Sequence, residues 1–106
     1  MGRVSVADDV FAALASPPRR EVLHLLLGGP RTVNDLASHF DMRRPSLSEH
    51  LRVLRDAGLV SERKVGRERH YQLEPQPFAS LGEWLHPYER FWRERLTALN
   101  DVLEDM

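Results

Sequence analysis

Cysteine is absent from this chain of 106 residues. Disulfides, thiolate metal sites and a cysteine nucleophile are therefore excluded, and a reducing compartment is compatible. Long apolar runs are lacking too, with nothing near the ~18 apolar residues of a membrane span. The stretch Met1 to Phe11 is acidic and has no apolar core of the signal-peptide kind. A cytoplasmic, nucleoid-associated protein with no membrane partner is expected. No nucleophile elbow, phosphate loop or metal-protease motif occurs, so the chain is not expected to be an enzyme. Lysine is nearly missing, with Lys64 alone against fourteen arginines. Arginine codons are GC-rich and lysine codons are not, so the excess follows genome composition before it follows phosphate chemistry.

A large charge of either sign is also lacking, because the net charge is −1. Its distribution is uneven. Residues 16–70 hold eleven Arg/Lys against seven Asp/Glu, whereas residues 71–106 hold three against seven. A basic middle and an acidic tail suggest that one face meets a polyanion and another face does something else.

What is present is mostly helical period. A first helix is expected from about Val6 to Ala15, with Val10, Phe11 and Leu14 on one face. Ser16-Pro17-Pro18 stops it and starts a second, with Ser16 as N-cap and proline tolerated in the first turn. The second runs to about Leu27, its buried stripe being Val22, Leu23, Leu26 and Leu27, and Gly28-Gly29-Pro30 ends it. Thr32 opens a short third helix. Thr32-Val33-Asn34-Asp35 fits a capping box with a shortened acid, and Leu36, Ala37 and Phe40 face inward. After a turn at Asp41-Met42-Arg43, a fourth helix spans about Arg44 to Ala57 and stops at Gly58. Leu59 to Val65 and Arg69 to Leu73 flank Gly66-Arg67 as a β-hairpin. Pro75 and Pro77 mark a break. From Phe78 to Leu103 the period is helical again. Leu81, Leu85, Tyr88, Trp92, Leu96, Leu99 and Leu103 step by 4, 3, 4, 4, 3, 4, close to a heptad seam. Pro87 interrupts it, which predicts a kink or two consecutive helices near His86. Mainly helical structure, with two closely spaced helices followed by a hairpin, is the winged helix-turn-helix plan.

On the fourth helix, Leu47, Leu51 and Leu54 cluster on one side, and Pro45, Ser48, Glu49 and Arg52 on the other. An outward face of hydroxyls, a carboxylate and guanidinium groups suits a DNA major groove, where the helix N-terminus also favours phosphate. Taken alone, it more simply describes a solvated surface helix. His50 flanks the apolar stripe and is expected to be a core-side residue hydrogen-bonded to backbone, not a ligand.

Thr32-Val33-Asn34-Asp35-Leu36-Ala37 followed by Ser48-x-His50-Leu51-x-x-Leu54-x-x-Ala57-Gly58-Leu59-Val60 closely resembles the helix-turn-helix of the ArsR/SmtB family of bacterial repressors. Gly66-Arg67-x-Arg69-x-Tyr71-x-Leu73 is similar to that family's wing. Phe11-Ala12-Ala13-Leu14-Ala15-Ser16-Pro17-x-Arg19 is similar to its opening phrase, so the resemblance spans nearly the whole chain. It implies a homodimeric, sequence-specific transcriptional regulator, a repressor reading palindromic double-stranded DNA. Arg43, Arg44, Ser46, Ser48, Glu49 and Arg52 would form the recognition surface. Arg67 and Arg69 would lie on the wing, with Arg63 and Lys64 as electrostatic support. Glu49 departs from the family, which more often has Gln or Arg thereabouts. Two roles stand open for it, acceptance from cytosine N4 or an internal salt bridge to Arg52 or Arg44.

One domain is expected over 1–106, with a DNA-binding core at 16–73, its wing at 59–73, and dimerisation helices at 1–15 and 78–104. Phe11, Leu14, Trp84, Leu85, Tyr88, Phe91, Trp92, Leu96, Leu99 and Leu103 would form the dimer seam. A pocket for an apolar ligand and a docking face for an additional protein subunit are the other readings of this aromatic-rich helix. The resemblance also raises metal sensing, by nickel or zinc. The family's cysteine site has no counterpart here, and the last helix offers only His86 and Glu89, too few ligands for a firm site, although a dimer could double them and Glu83 sits one turn earlier. No cofactor is expected. A metal-responsive regulator, or one whose effector response comes from a partner protein, is the alternative function.

Overall fold

A computed structural model describes residues 6–105 of the chain. The expected N-terminal dimerisation segment, 1–15, is therefore covered only from Val6 onward, and residues 1–5 lie outside the described residues. Helix α1 is Asp8–Leu14 and helix α2 is Pro17–Leu26. Ser16 caps α2, its hydroxyl accepting from the Arg19 N–H at 3.4 Å. Strand β1, Arg31–Thr32, leads into the short helix α3, Val33–Ala37. The Thr32 hydroxyl accepts from the Asp35 N–H at 3.0 Å. The reciprocal half of the capping box is not made, because the Asp35 carboxylate takes the Arg31 guanidinium instead.

Helix α4, Arg44–Asp56, is followed by strands β2, Val60–Val65, and β3, Glu68–Leu73. Gly58, at φ 78°, ends α4 in the left-handed region, where glycine escapes the Cβ penalty. The Gly58 N–H then reaches the Arg55 carbonyl at 2.9 Å and the Leu59 N–H reaches the Leu54 carbonyl at 3.0 Å. Leu54 and Leu59 are both fully buried, so the motif that closes the helix also points the chain into the wing. β2 and β3 pair antiparallel with Val65 opposite Glu68, leaving a two-residue turn whose first position, Gly66, has φ 63°. The expected hairpin is in fact a three-stranded sheet in the order β1-β3-β2. β1 adds Arg31 opposite Tyr71 and Thr32 opposite His70. Two residues are too few to show an alternation in sequence.

The core joins α1, α2, α3, α4 and the sheet. Val22, Leu36, Leu47, Leu51, Leu54 and Leu59 are its largest fully buried side chains. One expected core position is on the surface: Leu27 follows the last turn of α2 and is 71% exposed. Phe11, expected in the dimer seam, is 39% exposed, and the buried side of α1 is formed by Val10 and Ala13.

Helix α5, Pro75–Glu104, is one helix. Pro75 and Pro77 are not a break; they form its first turn, where a missing N–H removes no intrahelical bond. Pro87 lies inside it and does not split it into two. The helix forgoes only the bond to the Glu83 carbonyl, and residues 83 and 87 are both exposed, so water can take that carbonyl. Phe78 and Leu81 pack on the core. Beyond them the helix runs outward, and none of its residues is fully buried.

Candidate nucleic-acid interface

Leu47, Leu51 and Leu54 hold α4 against the core. That rotation puts Arg43, Arg44, Ser46, Ser48, Glu49 and Arg52 on the exposed side. Lys64, Arg67 and Arg69 are exposed on the wing.

Two contacts join these groups into one surface. At the start of α4, Arg44 Nη2 donates to Asn34 Oδ1 on α3 at 2.7 Å. Asn34 in turn lines a cleft of about 230 Å³ with Thr32, Val33, Arg67, Glu68 and Arg69. The first turn of α4 and the tip of the wing therefore share a concave wall built around α3. At the other end of α4, Glu62 of β2 is the hub. Its Oε1 accepts from Arg69 Nη1 at 3.1 Å and lies 3.2 Å from Arg55 Nη1, while its Oε2 accepts from the Tyr71 hydroxyl at 2.7 Å. The Tyr71 hydrogen bond, with the Arg69 and Arg55 charges, holds the Glu62 carboxyl below the usual carboxylate range. Burial, and then the same Glu62 carboxylate, push the Tyr71 phenol up to about 12.

The cations of the surface are not equivalent. Among the described residues, Arg43, Lys64 and Arg67 form no ion pair, whereas Arg52 is held between two carboxylates. Its Nε donates to Glu49 at 3.1 Å and its Nη1 to Asp56 at 2.9 Å. Of the two roles open for Glu49, the internal pair with Arg52 is the one present in this free chain. The Arg52 guanidinium, by hydrogen bond and then by charge, lowers the Glu49 carboxyl, and Glu49 in turn raises Arg52. The start of α4 and the wing tip thus carry open positive charge, and the middle of α4 is neutralised.

His50 has a different partner from the backbone group expected. Arg19 Nη1 lies 3.3 Å from His50 Nδ1, while Arg19 Nε and Nη2 donate to the Ala13 and Ala12 carbonyls at 2.8 and 3.1 Å. A guanidinium has only donors to offer, so Nδ1 is the acceptor. Arg19 thereby ties the end of α1 to the middle of α4. Sequence reasoning also missed Arg55, Asn34 and Glu62 as organisers of the surface. Glu62 was within reach, since a two-residue turn at Gly66-Arg67 dictates that it stands opposite Tyr71.

His86 is exposed, Glu89 is engaged by Arg93 at 3.0 Å, and no group of three or more potential ligands assembles among the described residues of the single chain. No helix there is long and apolar enough to cross a membrane.

The pattern of the family described as "Bacterial regulatory protein, arsR family" matches residues 16–62. The chain is 38% identical over 97 residues to the HTH-type transcriptional regulator Rv2034 of Mycobacterium tuberculosis, covering 92% of this chain and 88% of that one. It is 36% identical over 78 residues to the transcriptional repressor SdpR of Bacillus subtilis, covering 74% and 87%. The crystal structure of an ArsR family transcriptional regulator superposes with a TM-score of 0.71 at 41% identity, over 81% of this chain and 89% of that one.

Proposed function

The chain belongs to the arsR family of bacterial regulatory proteins, and from that premise we propose that it is a homodimeric repressor that reads a palindromic operator with α4 and the wing. The family's members are DNA-binding transcriptional regulators, not enzymes, and SdpR is by name a repressor. One observation carries the assignment of the surface. Arg67, free of ion pairs among the described residues, lines the cleft with Asn34 and Arg69, and Asn34 is tied to Arg44 at the start of α4, next to the equally unpaired N-cap residue Arg43. Ser46 and Ser48 offer short hydroxyls to base edges. The guanidinium groups supply phosphate contacts that position the helix without reading sequence.

The test is an anisotropy titration of a duplex from upstream of the protein's own coding sequence, at several salt concentrations, beside a scrambled duplex. Specific binding is expected, with Arg43→Ala and Arg67→Ala each weakening it on every sequence and each reducing the log–log salt slope by about 1. Binding that ignores salt, or loss confined to variants outside this surface, overturns the assignment.

A further inference from the structure

We propose that the cleft between α2 and the start of α5 binds an amphiphilic carboxylate, its head at Arg20 and His24 and its apolar chain running toward Leu27. The inference goes beyond the proposed function, and its test needs no DNA. The cleft holds about 570 Å³, within the range of small-molecule sites. Leu14 of α1, Leu23 of α2, its C-cap Leu27, Leu73 of β3 and Phe78 of α5 line it. It is separate from the DNA surface, since none of Arg43, Ser46, Lys64 or Arg67 lines it.

The wall of the cleft is built by helical spacing. Arg20, Leu23, His24 and Leu27 stand at i, i+3, i+4 and i+7, so they share one face of α2. Val22 and Leu26 are turned into the core. Leu23, at 7% exposure, closes the floor of the cleft. Leu27 is the most exposed large apolar residue among those described, at 71%. A leucine left that bare on the wall of an apolar cleft gains by meeting an apolar ligand.

Charge complementarity selects the occupant. Arg20 and His24 are the only titratable residues that line the cleft, and no Asp or Glu does. Glu74 lies in sequence between two lining residues, Leu73 and Pro75, but it lines a separate cleft with Val10 and Ala57. Arg20 Nη1 donates to the Leu14 carbonyl at 2.8 Å, which holds the guanidinium at the edge of the cleft. Among the described residues Arg20 forms no ion pair, so its remaining N–H groups are open to a ligand. One guanidinium and one imidazole N–H, a helical turn apart, make a small donor set matched to the two oxygens of a carboxylate. The leucines beside them match an alkyl chain.

Arg20 and Leu27 stand about 10 Å apart along α2, the reach of a medium-length alkyl chain. A ligand laid along that line touches α1, α2, β3 and α5 at once. It therefore bridges the core to the helix that leaves it.

Isothermal titration of the full chain with decanoate, kept below its micellar concentration, tests the site. Decylammonium is the control, with a tail of equal length and the opposite charge. One decanoate per chain is expected, bound roughly tenfold or more tighter than decylammonium. The net charge of −1 gives no general preference for anions, so that order reports the local cations. Arg20→Gln should bring the two ligands within about threefold of each other, Arg20→Lys should keep the preference, and Leu27→Asp should abolish decanoate binding. Residues 20 and 27 are both exposed, so the variants keep the core, which circular dichroism checks. Equal binding of the two ligands, several ligands per chain, or an unchanged preference in Arg20→Gln protein overturns the inference. Sedimentation of the same samples separates the competing occupant: decanoate that binds only by splitting a dimer means a second copy fills the cleft, which also overturns it. None of these outcomes bears on the DNA surface.

Discussion

Arg52 is bracketed by Glu49 and Asp56 on its own helix, so a phosphate approaching it must compete with two carboxylates. Exposed pairs of this kind add little stability, but they change what the surface offers to DNA. Glu49→Gln is therefore expected to tighten binding to operator and scrambled duplexes alike and to steepen the salt slope by about 1. Equilibrium titrations on both duplexes check this, and a changed base preference would instead assign Glu49 to readout. The Glu62–Tyr71 pair makes a pH signature. A lowered carboxyl adds stability above its unfolded value and loses it as pH falls through the folded one, so Glu62→Gln should flatten the acid limb of a stability–pH curve below the ordinary value of 4.5. Tyr71 has the opposite sign: its raised phenol favours the folded state below pH 10 and the benefit goes as pH rises toward about 12. In Tyr88→Phe protein, where Tyr71 is the remaining tyrosine, ultraviolet titration should place phenolate formation near 12.

At the scale of elements, α4 does two jobs with two faces. Leu47, Leu51 and Leu54 are at most 1% exposed, and they fix the rotation that presents Arg43, Ser46 and Ser48. Leu54→Ala should cost about 2–5 kcal/mol in denaturant unfolding, a large part of a small domain's stability. α5 carries a different tension. Its interior proline forgoes one backbone hydrogen bond in a helix whose outer turns have little of their own core to lean on. Pro87→Ala is expected to raise the melting temperature, since proline in a helix interior costs about 3 kcal/mol against alanine. An unchanged or lower melting temperature would show that Pro87 sets a local geometry the seam requires.

For the molecule as a whole, the radius of gyration is 17.9 Å, against about 13 Å for a compact domain near 100 residues. The excess is α5, about 45 Å of helix that reaches well beyond the core it starts on. In the proposed homodimer, a second copy would cover the exposed apolar residues of this helix. Leu99→Asp should place a carboxylate in that seam and convert dimer to monomer in analytical ultracentrifugation. Operator affinity should then fall by more than tenfold while the weak, salt-sensitive attachment to any duplex persists, because each copy keeps its own charged surface.

Most of the local structure follows from neighbouring residues, because local structure obeys local rules. Ser16 and Thr32 cap their helices, Gly58 and Gly66 hold left-handed turns, and Leu47, Leu51 and Leu54 set the buried face of α4 through spacing alone. The helix-turn-helix and the wing were legible for the same reason, together with their exposed arginines. Which groups meet across the chain depends instead on the closed core. Strand β1 exists because β3 passes beside Arg31 and Thr32, not because two residues have a β period. Arg19 meets His50 across 31 positions, and Glu62 gathers Arg55 from α4 and Arg69 and Tyr71 from β3. A charged side chain chooses its partner by distance in space, and the one-dimensional order of the residues does not contain that distance until the core has closed.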